Sequence, residues 1–136
     1  MSDYTLVERI PTIAEYRDLR RLAGLSEKTE DAAARGLPNT IHAVVIEITG
    51  KAIGMGRITG DGGTAYQVVD IAVLPEHQGK GLGKRIVAAL VEWLHANAPK
   101  SAYVSLIADG PAKDLYAQYG FKPTAPASIG MAFKIT

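Results

Sequence analysis

The densest chemistry in the chain lies in the stretch Asp70-Ile-Ala-Val-Leu-Pro-Glu-His-Gln-Gly-Lys-Gly-Leu-Gly-Lys-Arg85. A β-branched run reaches Pro75, and a loop then carries Gly79, Gly81 and Gly83 into an amphipathic segment. A strand that feeds a glycine-rich turn at a helix N-terminus gathers several backbone N–H groups around one point. The positive end of the helix dipole adds to their field, so this pattern predicts an anion site. Lys80, Lys84 and Arg85 supply mobile positive charge, and a diphosphate fits the set. Two nucleotide patterns do not fit. A P-loop needs four residues between its first Gly and its Gly-Lys pair, then Ser or Thr. Here Gly79 and Gly83-Lys84 enclose three, and Arg85 follows. The dinucleotide pattern Gly-x-Gly-x-x-Gly fails because Lys84 stands where its third Gly belongs.

Other chemistries are excluded by composition. With no cysteine in 136 residues there is no disulfide, zinc-thiolate site or cysteine nucleophile. His42, His77 and His95 lack metal-ligand spacing and read as solvated, and no metal is expected. Fifteen Lys and Arg against fourteen Asp and Glu leave a formal charge of +1, which does not suit a general nucleic-acid binder. Arg57 is suited either to a substrate carboxylate or phosphate or to a surface ion pair. Asp109 suits capping of a helix that begins near Pro111, and Lys113 on that helix reads as solvated. The first twenty residues are charged throughout, so neither a leader nor a membrane segment is expected, and the protein reads as cytoplasmic.

These residues need a scaffold, and 47% hydrophobic residues can supply its core. Tyr4 to Ile10 suits a first strand. Thr12 and Glu15 have capping-box spacing, which predicts a helix running to Gly24. A shorter helix is expected from Glu27 to Arg35. Ile41 to Ile48, Ala52 to Thr59 and Thr64 to Val73 read as strands joined by tight turns, hence an antiparallel meander. Leu82, Ile86, Leu90, Trp93 and Leu94 form the apolar stripe of a helix from Leu82 to Asn97, stopped by Pro99. A buried strand from Tyr103 to Ile107, a helix from Pro111 to Gln118, extended chain from Phe121 and a last strand from Gly130 to Ile135 complete the reading. The expected order is β-α-α-β-β-β-α-β-α-β-β, an α/β mixed sheet with helices on its faces.

Gln78-Gly79-Lys80-Gly81-Leu82-Gly83 after Asp70-Ile71-Ala72-Val73 resembles the acetyl-CoA motif of the GNAT superfamily of N-acetyltransferases, written Gln/Arg-x-x-Gly-x-Gly/Ala. Leu115-Tyr116-Ala117-Gln118-Tyr119-Gly120-Phe121 is similar to the family's Leu-Tyr-x-x-x-Gly-Phe segment. The resemblance implies one GNAT domain over residues 1–136, with a V-shaped split in its central sheet. Acetyl-CoA would lie in the split as acyl donor, its pantetheine arm along Ile71, Ala72 and Val73. Its diphosphate would rest on Gln78, Gly79, Lys80, Gly81, Leu82, Gly83 and Lys84, with Asp109 and Lys113 as further contacts.

The same resemblance implies direct attack by an amine within a ternary complex. The N–H of Val73 would polarise the thioester, and Tyr116 would be the acid for the departing sulfur, or else a packing aromatic. Asp70, in a context like that of the glucosamine-phosphate acetyltransferases, is either the base or a structural carboxylate. Gln67 stands where histone-acetylating members carry a base glutamate, which counts against their mechanism. The first two helices would wall the acceptor site, and their mixed charges favour no acceptor. Expected acceptors are amino acids, amino sugars, polyamines, amine antibiotics or proteins; a non-catalytic acyl-CoA sensor is the alternative. Phe121 to Ile135, where Met131, Phe133 and Ile135 alternate, would supply either the edge of a homodimer, as terminal strands do in members of the family, or an internal strand.

Overall fold

The structure, a computed structural model, describes residues 3–136. It divides into two compact units, one running to Leu106 and the other from Ile107 to Thr136. In the first, helix α1 (Ile13–Leu22) begins with a reciprocal cap. Thr12 Oγ1 accepts the N–H of Glu15 at 3.1 Å, and Glu15 Oε1 accepts the N–H of Thr12 at 2.9 Å. Arg9 bonds the same carboxylate at 2.8 Å and holds its pKa down at about 2. Thr12→Ala removes one half of this cap and is expected to cost about 1 kcal/mol, read from urea denaturation. Helix α2 (Glu30–Gly36) starts later than the expected Glu27 because Thr29 provides its cap, accepting from the N–H of Ala32.

Five strands form one sheet in chain order: β1 (Thr5–Val7), β2 (His42–Ile48), β3 (Lys51–Gly60), β4 (Ala65–Val73) and β5 (Tyr103–Ser105). The first four are antiparallel, and β5 joins β4 in parallel. Asp61 sets the β3–β4 turn, its Oδ1 accepting the N–H groups of Gly63 and Thr64 at 2.8 Å each. Helix α3 (Leu82–Asn97) has the expected bounds and buries Leu82, Ile86, Val87, Leu90 and Leu94. It covers the face of the sheet to which Gly54 and Gly56 belong. Side chains alternate along a strand, so Met55 and Arg57 turn to the opposite face, where α1 packs. Cover on both faces explains the unbroken buried run Ala43 to Ile46.

The expected buried strand from Tyr103 to Ile107 is corrected to Tyr103–Ser105, since β4 offers it only the three rungs Ala65 to Gln67. Tyr103 and Ile107 are exposed. The second unit carries α4 (Ala112–Ala117), and its Tyr116 meets Phe121 edge-on at 6.1 Å. No strand follows Ser105 among the described residues, so the last two expected strands are absent. Met131, Phe133 and Ile135 are 85%, 90% and 84% exposed. Alternation makes a segment fit for a sheet, but the ladder bonds of a neighbouring edge are what make it a strand.

Candidate active site

Strand β4 changes phase within its own length. Asp61 donates its N–H to the carbonyl of Ala65, so Ala65, Gln67 and Val69 bond toward β3. Between Met55 and Arg57 of β3 the register shifts, and Asp70 and Ile71 together stand opposite Gly56. Asp70 adopts φ 59°, the left-handed conformation that short polar side chains tolerate. Past this bulge Ala72 and Leu74 bond toward β3, Leu74 donating to the carbonyl of Ile53 at 2.9 Å. The extra residue therefore turns the backbone groups of Ile71 and Val73 to the other edge. On that edge β5 pairs only with Ala65 to Gln67, so the sheet opens beyond Gln67. The Val73 carbonyl accepts the side-chain amide of Gln78 at 3.0 Å, which ties the open edge to the loop that follows.

That loop leads through one 3-10 turn, Pro75–His77, to the start of α3. Gly79 and Gly81 hold φ 79° and 77°, a conformation that a Cβ would strain. Gly81 is the N-cap and brings no side-chain oxygen. The N–H groups of Leu82 and Gly83 therefore point out of the helix with no intrahelical acceptor. Lys80, Lys84 and Arg85 are exposed around them. His77 does not stand in solvent as expected: its Nδ1 lies 2.7 Å from the Tyr4 hydroxyl, and Lys80 sits 5.9 Å from the centre of the same Tyr4 ring. These contacts brace the loop against the N-terminal strand.

On the α1 side of the bulge, Asp70 lies between two arginines with its side chain 7% exposed. Oδ1 accepts from Arg20 Nη1, and Oδ2 from Arg57 Nη1 at 2.6 Å. Tyr16 donates its hydroxyl to Oδ1 at 3.4 Å, and burial beside this carboxylate raises the Tyr16 pKa. Arg20 completes its contacts on Ser26, and Arg57 Nε donates to Thr40 Oγ1 at 3.0 Å. Arg57 is thus no surface ion pair; it is 6% exposed. A cavity of about 250 Å³ opens between the two helices above it, lined by Tyr16, Lys28, Ala33, Leu37 and Arg57 among others.

His42 also departs from the solvated reading. Its ring stacks on Trp93 at 4.8 Å, its Nε2 lies 3.3 Å from Glu8, and burial lowers its pKa against the pull of that carboxylate. His95 is exposed as expected. In the second unit, the side chain of Asp109 does not cap α4. The N-cap is Pro111, and only the Asp109 backbone carbonyl accepts, from Ala112 at 3.1 Å. Lys113 is exposed. Tyr116 is half-buried, and burial followed by the charge of Asp109 raises its pKa. Among the described residues no helix is long and apolar enough to cross a membrane, and no three acidic or histidine side chains gather to hold a metal.

Comparison with known proteins identifies the family. Residues 39–123 match the model of the acetyltransferase (GNAT) domain, well over half the chain. The chain belongs to the GNAT acetyltransferase family. This GNAT chain is 45% identical to a meticillin-resistant Staphylococcus aureus protein of unknown function, described as a probable acetyltransferase. The two superpose with a TM-score of 0.91 over 97% of this chain and 99% of that one. It shares 38% identity over 81 residues with GCN5-related N-acetyltransferase 2, chloroplastic, of Arabidopsis thaliana. That match spans 60% of the GNAT chain but about a third of the plant protein, 31%. The fold is also that of glucosamine-6-phosphate N-acetyltransferase from Arabidopsis thaliana, at 21% identity and TM-score 0.69 over 97% and 99% of the two chains.

Proposed function

We propose that the protein transfers an acetyl group from acetyl-CoA to a primary amine. The observation that carries this reading is the phase change at Asp70, which turns Ile71 and Val73 to the open edge just ahead of the glycine loop. A pantetheine arm can pair with those backbone groups while its diphosphate meets the donors of Gly79, Gly81, Leu82 and Gly83. Gln78, Lys80 and Lys84 would flank it, and Asp109 and Lys113 stay candidates for the CoA arm. The N–H of Val73 is our candidate oxyanion donor and Tyr116 our candidate acid for the leaving thiolate. Asp70 we assign to positioning rather than to the base, because Arg20 and Arg57 already engage both its oxygens. The family match runs across the boundary at Leu106, which supports treating both units as one domain.

The chain has no thiol of its own, so CoA release can be followed directly with a thiol reagent. Turnover with members of a primary-amine panel is expected, together with calorimetric binding of acetyl-CoA. Tight acetyl-CoA binding with no turnover across the panel would instead mark a sensor of acyl-CoA. We also propose a homodimer, supported by the exposed alternating side chains Ile129, Met131, Phe133 and Ile135. Light scattering is expected to give twice the chain mass for the wild type and the chain mass for Phe133→Glu. A monomeric wild type would refute it.

A further inference from the structure

We infer that the acceptor carries an anionic group, a carboxylate or a phosphate, which binds in the α1–α2 cavity between Arg57 and Lys28. The role given to that molecule rests on the acetyltransferase reading; the anion site itself rests on charge. Arg20 and Arg57 bring two positive charges to one carboxylate, Asp70, so the cluster carries one positive charge in excess. Arg57 spends Nε on Thr40 and Nη1 on Asp70, and its Nη2 has no hydrogen-bond acceptor among the described residues. This guanidinium lines the cavity, and so does Lys28, a second cation. No carboxylate lines it. Asp31, on the nearby helix α2, is exposed and already pairs with Arg35.

The excess positive charge around Asp70 lies beside the cavity, and an anionic ligand there would balance it. The planar fork of arginine suits carboxylate and phosphate oxygens alike. Tyr16, Ala33 and Leu37 give the rest of the cavity an apolar wall for a carbon skeleton. The arrangement also selects against the other acceptors that the family resemblance left open, since a polyamine would meet like charge.

The test is calorimetry on the full chain loaded with CoA, using matched probes: phenylalanine against phenethylamine, and glucosamine 6-phosphate against glucosamine. The member that bears the carboxylate or phosphate is expected, in at least one pair, to bind about tenfold tighter than the partner that lacks it, as a charge-assisted contact does. The pair that shows the difference tells carboxylate from phosphate. Lys28→Ala is expected to remove about tenfold of that affinity while acetyl-CoA binding is kept. Equal affinities within both pairs, no binding by any probe, or no effect of Lys28→Ala would overturn the inference. Acetylation of amines with and without an acidic group at equal efficiency would sink the anion site and leave the acetyltransferase standing. Anionic probes that bind a protein giving no heat with acetyl-CoA would do the reverse.

Discussion

Asp70→Asn is expected to destabilise the first unit by about 3–5 kcal/mol, the cost of breaking a buried ion pair from one side. Among the described residues this carboxylate is the one counter-charge that Arg20 and Arg57 share, and both guanidinium groups are buried with it. Asparagine has nearly the same shape, so the loss reports charge rather than volume. Urea denaturation measures it, with circular dichroism confirming that the variant is folded before denaturant is added. Removing the whole cluster gives the contrasting result. A triple variant, Arg20→Met, Arg57→Met and Asp70→Leu, leaves no orphan charge and is expected to recover most of the lost stability. A loss below about 1 kcal/mol for Asp70→Asn would mean that water already screens the cluster as it does a surface pair. The assignment of Asp70 to positioning would then fall.

That cluster was not legible in the sequence, and the reason is distance. Asp70 meets Arg20 across 50 residues and Arg57 across 13, and nothing in the local pattern of either arginine marks it as buried. One signal was available: a single Asp inside the β-branched run from Val68 to Val73, where a short polar side chain tolerates a left-handed bulge. Local order read more easily. Helix α3 has its expected ends because Gly81 and Pro99 punctuate a stripe of period 3.6. The Thr12–Glu15 box formed because both partners lie within one turn. The alternating residues from Met131 to Ile135 misled, since periodicity cannot report whether an edge is present to pair with. Among candidate site residues, Ile71, Val73 and the glycines lie along one continuous edge and loop. Lys28 and the free face of Arg57 emerged only once α1 and α2 were folded over the sheet.

Tyr116→Phe is expected to lower kcat by about 10²- to 10⁴-fold, the range for losing a positioned acid. The thiolate leaving a thioester needs a proton, and the phenol hydroxyl is the group we assign to give it. Phenylalanine keeps the ring, so the edge-on contact with Phe121 at 6.1 Å survives and acetyl-CoA binding should change little. The pH profile separates an acid from a packing aromatic. Burial and the neighbouring charge of Asp109 both favour the neutral phenol and raise its pKa above the ordinary 10.0. A donor works while it holds its proton, so wild-type kcat should stay level from about pH 8 to about pH 10 and fall only above that. The residual rate of Tyr116→Phe should lack that alkaline fall. Asp109→Asn removes the nearby negative charge and should bring the fall to lower pH. A kcat that Tyr116→Phe leaves within about threefold of wild type, with the alkaline limb unmoved, would hand the proton to water or another donor.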